Sequence, residues 1–412
     1  MKIIDLIKRV AAIPGTIGFA KQRQLNDRRA ALRKFMDEGR REAFPLPINP
    51  RCTIIIPTFN GAEHTLQCLL SLLPHAADWL EILVYDDCGT DQTMDLVSRF
   101  KNVVAVRANQ NGGFLKAVNA ATNLAHGEYV ILMNNDAKLV EGSIAEALDR
   151  FEREKSCGYM GARVKFASGV LQEAGCIIYQ NGTTNGYLRF AAAEDPRAMF
   201  IRDVDYCSGV FCILRRDKFL AMGGFDLAYA PAYFEETDLC MRLREAGLRC
   251  IYNPSLLIEH FEFGSQPTAS AKRNIAERRQ IFLGRWEKTL VEQGFPKSLI
   301  AGSAEVAASR LQPHPRLLIV AHYDDLDCSL VASHAAANAA TTLHVLHCPA
   351  SKRPILVKAL TGAVELSFSR GGFGLQGMLR RRLHYFDSKI ALGPRAIRTV
   401  KFSQKIKTST DR

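Results

Sequence analysis

After Pro50 the chain alternates short apolar runs with stretches whose apolar residues recur every three to four positions. Cys52–Pro57, Glu81–Tyr85, Val103–Arg107 and Tyr129–Met133 are runs of the first kind and predict strands. Helical spacing through Leu66, Leu69, Leu70 and Leu73, and again over Asp91–Phe100 and Phe114–His126, predicts the helices between them. Strands this apolar, separated by helices, predict an α/β fold with a mostly parallel sheet covered on both faces. Right-handed crossovers bring the C-terminal ends of such strands to one edge, where open α/β sheets take their ligands.

Beyond residue 157 the alternation breaks down. Tyr159–Phe166, Gly175–Tyr179 and Gly209–Arg215 predict strands, Asp217 is placed to cap a short helix ending at Gly223-Gly224, and a helix from about Thr237 to Ala246 precedes a strand at Arg249–Tyr252. Residues 1–43 predict helix, with Arg28, Arg29, Arg33, Lys34, Arg40 and Arg41 on its polar face, before Pro45, Pro47 and Pro50 make a linker. Three parts follow: a basic helical segment with its proline linker at 1–50, an α/β core at 51–290, and a small basic α/β segment at 313–412.

Composition narrows the function classes. At 47% hydrophobic and 23% charged residues the chain has the makings of a large core. No stretch approaches the roughly 18 to 20 apolar residues that cross a bilayer, and the first residues lack a secretory h-region, so a cytoplasmic location is expected. Eleven cysteines without a CxxC pair predict free thiols in a reducing compartment. The net charge of +12 is concentrated at the ends: +6 over residues 1–50 and +11 over 351–412, against −5 between them. Basic termini around an acidic middle argue against a nucleic-acid enzyme and for contact with a membrane surface or partner, or simply for solvated helix faces.

The strand ends hold the candidate chemistry. The first closes with Pro57 and Thr58 ahead of Asn60-Gly61, and the second with Asp86-Asp87, whose adjacent carboxylates suit a nucleobase imide or a ribose hydroxyl. Asp91 reads as a helix cap. The fourth strand ends Asn134-Asn135-Asp136 on the same edge, either an Asn-rich turn or a site where one carboxylate holds a divalent ion whose other ligands are water and phosphate. Glu235 and Glu236 follow an aromatic pair at a helix start, where the dipole favours acids and a carboxylate can serve as general base. His260 ends the last strand-like run.

In order, these motifs make residues 52–265 resemble the family 2 glycosyltransferases of GT-A fold, especially rhamnosyl- and galactofuranosyltransferase-like members that build bacterial surface polysaccharides. Asn111-Gly112-Gly113-Phe114 with Asn119, and Gly223-Gly224-Phe225-Asp226, belong to the same series. The resemblance implies an inverting transfer from a UDP-, dTDP- or GDP-type donor to a glycan or lipid-linked glycan acceptor. It implies a donor pocket of Pro57, Thr58, Asn60, Asp86, Asp87, Asn111, Phe114, Asn134 and Asn135. It further implies Mn²⁺ or Mg²⁺ on Asp136 and His260, and Glu236 in the base position beside Glu235. Three departures stand out: Asn134-Asn135-Asp136 replaces the usual Asp-x-Asp, Glu235-Glu236 the usual Glu-Asp, and Cys88, to which no role is attached, stands where small residues are common. A nucleotidyltransferase is the rival enzyme reading, though Thr58-Phe59-Asn60-Gly61 lacks the Gly-rich basic loop such enzymes carry; a GT-A-like nucleotide-binding protein without catalysis is the other.

Farther on, Arg316–Ala321 followed by His322-Tyr323-Asp324-Asp325 resembles the opening of zinc-dependent sugar de-N-acetylases. Residues 316–348 predict one βαβ unit, with Leu343–Leu346 as second strand. His344 and His347 should then point to opposite faces, and with His384 they supply no convincing third zinc ligand, so a truncated or degenerate appendage is expected.

Overall fold

The computed structural model describes residues 14–261, 269–294, 316–337, 340–360, 364–369 and 388–392. His384 lies outside these, as do residues 1–13 of the expected first helix. The chain divides into two compact units, the first built from residues 1–140, 209–239 and 258–282, the second from 141–208, 240–257 and 283–412.

The first unit begins with helix α1 (Pro14–Asp37). It continues through β1 (Cys52–Thr58), α2 (Ala62–Leu72), β2 (Leu80–Asp86), β3 (Val103–Arg107), α3 (Phe114–Leu124) and β4 (Tyr129–Met133). β5 (Phe211–Arg215) lies beside β4, giving the order β5-β4-β1-β2-β3 within this unit. β1, β2, β3 and β4 run parallel, and β5 is antiparallel to β4. The expected α/β class and parallel sheet are therefore present. All seven residues of β1 and all five of β4 are buried, as strands covered on both faces require. Two elements remain to be placed: α4 (Glu235–Glu245) and β6 (Arg249–His260), a strand whose last three residues, Ile258–His260, belong to the first unit.

Local chemistry explains several element ends. Asp91 caps two helices: one carboxylate oxygen accepts from Ala62 N–H at 2.9 Å, the other from Thr93 N–H at 3.0 Å and the Thr93 hydroxyl at 2.6 Å. The helix expected over Asp91–Phe100 is confined to Thr93–Val97, because Phe100–Lys101 pairs instead as a short strand with Glu42–Ala43. Asp217 is not the cap expected of it; the helix Arg216–Ala221 already includes it, with Arg215 at the cap position. At the opposite end of the sheet, buried Glu81 accepts from the Thr53 hydroxyl and His126 N–H, a network remote from the strand ends that matter below.

In the second unit Cys157–Phe166 is the long buried strand. Its final hundred or so residues contain a separate sheet of β7 (Arg316–His322), β8 (Ala340–Leu346), β9 (Glu365–Ser369) and β10 (Ser388–Leu392). All pairs are parallel and the order is β9-β8-β7-β10, so the expected βαβ unit exists but is extended by two strands. Leu317, Ile319, Val331, Leu343, Val345 and Leu366 build its core. His344 is buried and hydrogen-bonds Ser367 and Ser369 at 2.7 and 2.9 Å, while His347 stacks on His322 at 5.0 Å. Among the described residues no three His, Cys, Asp or Glu side chains are grouped to hold a metal, and no helix is long and apolar enough to cross a membrane.

Candidate active site

Parallel register sets Thr58, Asp86 and Arg107 side by side at the C-terminal edge of the first unit's sheet. Asp86 is 1% exposed; its Oδ1 accepts from Gly89 N–H at 3.1 Å and its Oδ2 lies 3.5 Å from Arg107 Nε. Asp87 is used differently. Its two oxygens accept from Gly112 N–H at 2.9 Å and Gly113 N–H at 2.7 Å, so it clamps the loop that leads into α3. The two acids expected to share donor binding thus have distinct surroundings, and Asp87 is first of all a loop anchor.

Asn60 is left-handed, at φ 60, a conformation Asn tolerates better than most residues. Its side-chain oxygen accepts from Thr90 and Asp91 N–H at 2.7 and 3.1 Å, and its carbonyl accepts from Asn135 Nδ2 at 3.3 Å. Asn135 also donates to the Thr65 hydroxyl at 3.1 Å. The loops after β1, β2 and β4 are thereby tied into one rim. Asn134 continues it through its backbone, with its N–H donating to the Val210 carbonyl at 3.0 Å. Asn111 is exposed at the tip of the next loop, and Phe114 stacks on Phe225 at 6.2 Å. Asn119 grips that same Phe225, donating to its carbonyl at 2.8 Å and accepting from its N–H at 2.9 Å.

Asp136 and His260 meet. Their Oδ1 and Nε2 are 3.2 Å apart, both residues are buried, and the Phe261 N–H donates to the Asp136 carbonyl at 3.1 Å. Burial alone would raise the Asp136 carboxyl, but the His260 imidazole, with the Arg28 charge behind it, outweighs burial and holds the acid below its ordinary range. One carboxylate and one imidazole suit a divalent ion of Mn²⁺ type that completes its shell with water and diphosphate oxygens. The residues present fit such an ion.

Glu235 and Glu236 open α4, after Tyr233 and Phe234 at φ 81 and 72. Two adjacent non-glycine residues in the left-handed region are costly, and such strain gathers where a side chain must be aimed. Glu235 is 8% exposed; burial first, and then the Glu236 charge, push its carboxyl well above the ordinary range. Glu236 is only partly buried. Asp238, fully buried one turn on, accepts from the Tyr229 hydroxyl at 3.2 Å.

Three residues near this rim were not anticipated: Arg107, His64 and Arg28. Arg28 had been placed on the polar face of the first helix, yet it is 9% exposed, donates from Nη1 to His64 Nδ1 at 3.0 Å and lies 4.6 Å from the Phe261 ring centre. Its spacing from Leu32 and Phe35, four and seven residues, was the available clue, because helical residues so spaced share a face.

The family model described as glycosyl transferase family 2 matches residues 53–222. The chain carries a family 2 glycosyltransferase domain. Relatives agree with this. The chain is 26% identical over 261 residues to an N-acetylglucosaminyl-diphospho-decaprenol L-rhamnosyltransferase of Mycobacterium tuberculosis, covering 56% of this chain and 82% of that one. It is 25% identical over 241 residues to the O-antigen biosynthesis protein RfbC of Myxococcus xanthus, covering 55% of this chain and 18% of the relative. The chain spans well under two thirds of several of the curated relatives it matches, 26% of one from Sinorhizobium fredii among them. Among solved structures, GalNAc-T7 with UDP, GalNAc and Mn²⁺ superposes at TM-score 0.47 and 11% identity, covering 59% of this chain and 50% of that one. Likeness of that order determines no detail of a site. Within the glycosyltransferase domain, the rim of Asn60, Asp86, Asp87 and Asn134–Asp136 falls inside the matched stretch, whereas Arg28, Glu235, Glu236 and His260 fall outside it.

Proposed function

We propose that this protein transfers a sugar from a nucleotide-diphosphate donor to an acceptor hydroxyl, with inversion, in the synthesis of a surface polysaccharide. The buried Asp136–His260 pair on the C-terminal edge of a parallel sheet carries the reading, together with the family match. Thr58 and Asp86 face the nucleoside, with Asp87 holding the Gly112-Gly113 loop so that Asn111 and Phe114 border the donor. Asp136 and His260 hold Mn²⁺ or Mg²⁺, which when bound supplies positive charge against the departing diphosphate. Glu236 accepts the acceptor's proton as the hydroxyl attacks from the face opposite the leaving group, and Glu235, whose protonated form burial and the Glu236 charge favour, sits beside it. The exposed cations of α1, Arg33 and Lys34 among them, with Leu46 and Ile48 at 65% and 69% exposure, support contact with an anionic membrane surface where a lipid-linked acceptor resides.

A panel of UDP-, dTDP- and GDP-sugars assayed for donor hydrolysis with Mn²⁺ tests the activity. One donor should turn over, and Asp136→Asn should abolish that turnover without unfolding the protein. Full turnover by Asp136→Asn removes this pair from the reaction.

A further inference from the structure

Arg28 behaves unlike the other basic residues of α1. It shares a buried face with Leu32 and Phe35, whereas the neighbouring Arg29 side chain is 53% exposed and pairs with Glu63. A guanidinium taken out of water ordinarily meets a carboxylate, because an unpaired buried charge is costly. Among the described residues Arg28 makes no salt bridge; it meets His64 and the face of Phe261. Arginine only donates, so His64 Nδ1 accepts and that imidazole carries its proton on Nε2. Burial, reinforced by Arg28, pushes His64 down to about 4, so the ring is neutral and cancels none of the arginine's charge. Burial also lowers Arg28, while Glu259, Asp136 and Glu63 act from beyond bonding distance to keep it charged.

Phe261 connects this cation to the candidate site. It follows His260 directly, and its N–H is held by the Asp136 carbonyl at 3.1 Å. A fixed positive charge therefore stands behind the pair. The triplet differs in the same electrostatic sense, since Asn134 places a neutral amide where the family pattern has a carboxylate. Both features make this part of the rim more attractive to an anion before any metal arrives.

Resting on the donor-site reading above, we propose that Arg28 belongs to the diphosphate subsite and gives it a metal-independent component of binding. The residue acts through its field and through the ring it braces.

Inorganic pyrophosphate is the probe, because it isolates the diphosphate from base and sugar. Calorimetric titration of the full chain in EDTA, and again with Mn²⁺, should show wild-type binding in both. Arg28→Gln keeps a donor for His64 but no charge, and should weaken binding in EDTA roughly tenfold, the scale of removing one charge that acts on an anion without touching it. Arg28→Lys should retain most of the binding. Arg28→Met, which keeps the stem against Phe261, carries the same expectation as the glutamine variant and replaces it if that variant does not fold. A merely structural role would lower the melting temperature and leave pyrophosphate affinity unchanged in the folded protein. That result, or absence of wild-type binding in EDTA, overturns the proposal. Asp136→Asn separates the two readings: it should erase the gain from Mn²⁺ and spare binding in EDTA. If its Mn²⁺ gain is intact the donor-site reading itself fails, whereas a lost gain with an indifferent Arg28 removes only the inference about Arg28.

Discussion

Two adjacent glutamates at the start of α4 have been given different surroundings. Glu235 is nearly sealed, and both burial and the neighbouring charge favour its protonated form; Glu236 retains access. The consequence for stability has a definite sign. The folded protein holds the Glu235 proton to higher pH than the unfolded chain does, so between those two values the native state binds more protons and stability falls as pH rises. Glu235→Gln removes that titration. Its melting temperature should match or trail wild type in acid and exceed it near neutral pH; a gap that does not grow with pH contradicts the assigned protonation. Catalysis should separate the pair the other way. Glu236→Gln should lose on the order of 10² to 10⁴ in kcat, the usual range for a general base, with donor affinity preserved. Glu235→Gln should lose far less, and a dead Glu235→Gln beside an active Glu236→Gln would move the base by one residue. These assignments were partly legible beforehand, since the motif order marked the acids, but neither burial nor protonation can be seen in two consecutive letters.

At the scale of elements, short polar side chains hold the loops at the sheet edge. Asp91 serves the first turns of two helices, so Asp91→Ala should cost about 1–2 kcal/mol in chemical denaturation, the upper range for loss of a cap. A change under a few tenths would show that water takes over both roles. Asn119 clamps Phe225 by two hydrogen bonds, and Gly224, at φ +69, lies so close that a Cβ there would sit 2.4 Å from the Asn119 side-chain oxygen. The clamp fixes the start of the segment that runs on to Glu235. Asn119→Ala should therefore reduce kcat more than it raises donor KM; an effect on donor KM alone would mean that the clamp serves the α3 loop instead. Sequence patterning located these elements well, because β1 to β4 are mostly apolar and their turns carry Gly, Asn and Asp. It misjudged Thr93–Val97 and the place of Asp217, where strand pairing and backbone geometry override propensity.

For the whole molecule, the basic first helix is part of the first unit rather than a charged leader on it. Leu32, Phe35 and Phe44 are buried, and Phe35 stacks on Phe100 at 5.7 Å. Its outward cations are what remain for a membrane. Vesicles containing anionic lipid should pellet the protein at low salt and release it as salt screens the charges, whereas neutral vesicles should not retain it; equal retention by both would refute an electrostatic contact. The amino-acid sequence by itself determined the parallel sheet, its C-terminal edge and the set of polar residues there, since hydrophobic period and turn chemistry are local properties written along the chain. Tertiary structure alone decided which of those residues meet. Asp136 and His260 are 124 positions apart in the chain and 3.2 Å apart in space, and Arg28 reaches Phe261, the residue after His260, from a helix that charge counting had assigned to solvent. It also decided the raised proton affinity of Glu235 and the anchoring role of Asp87, because desolvation and hydrogen-bond partners are set by what packs around a side chain and not by its neighbours in sequence.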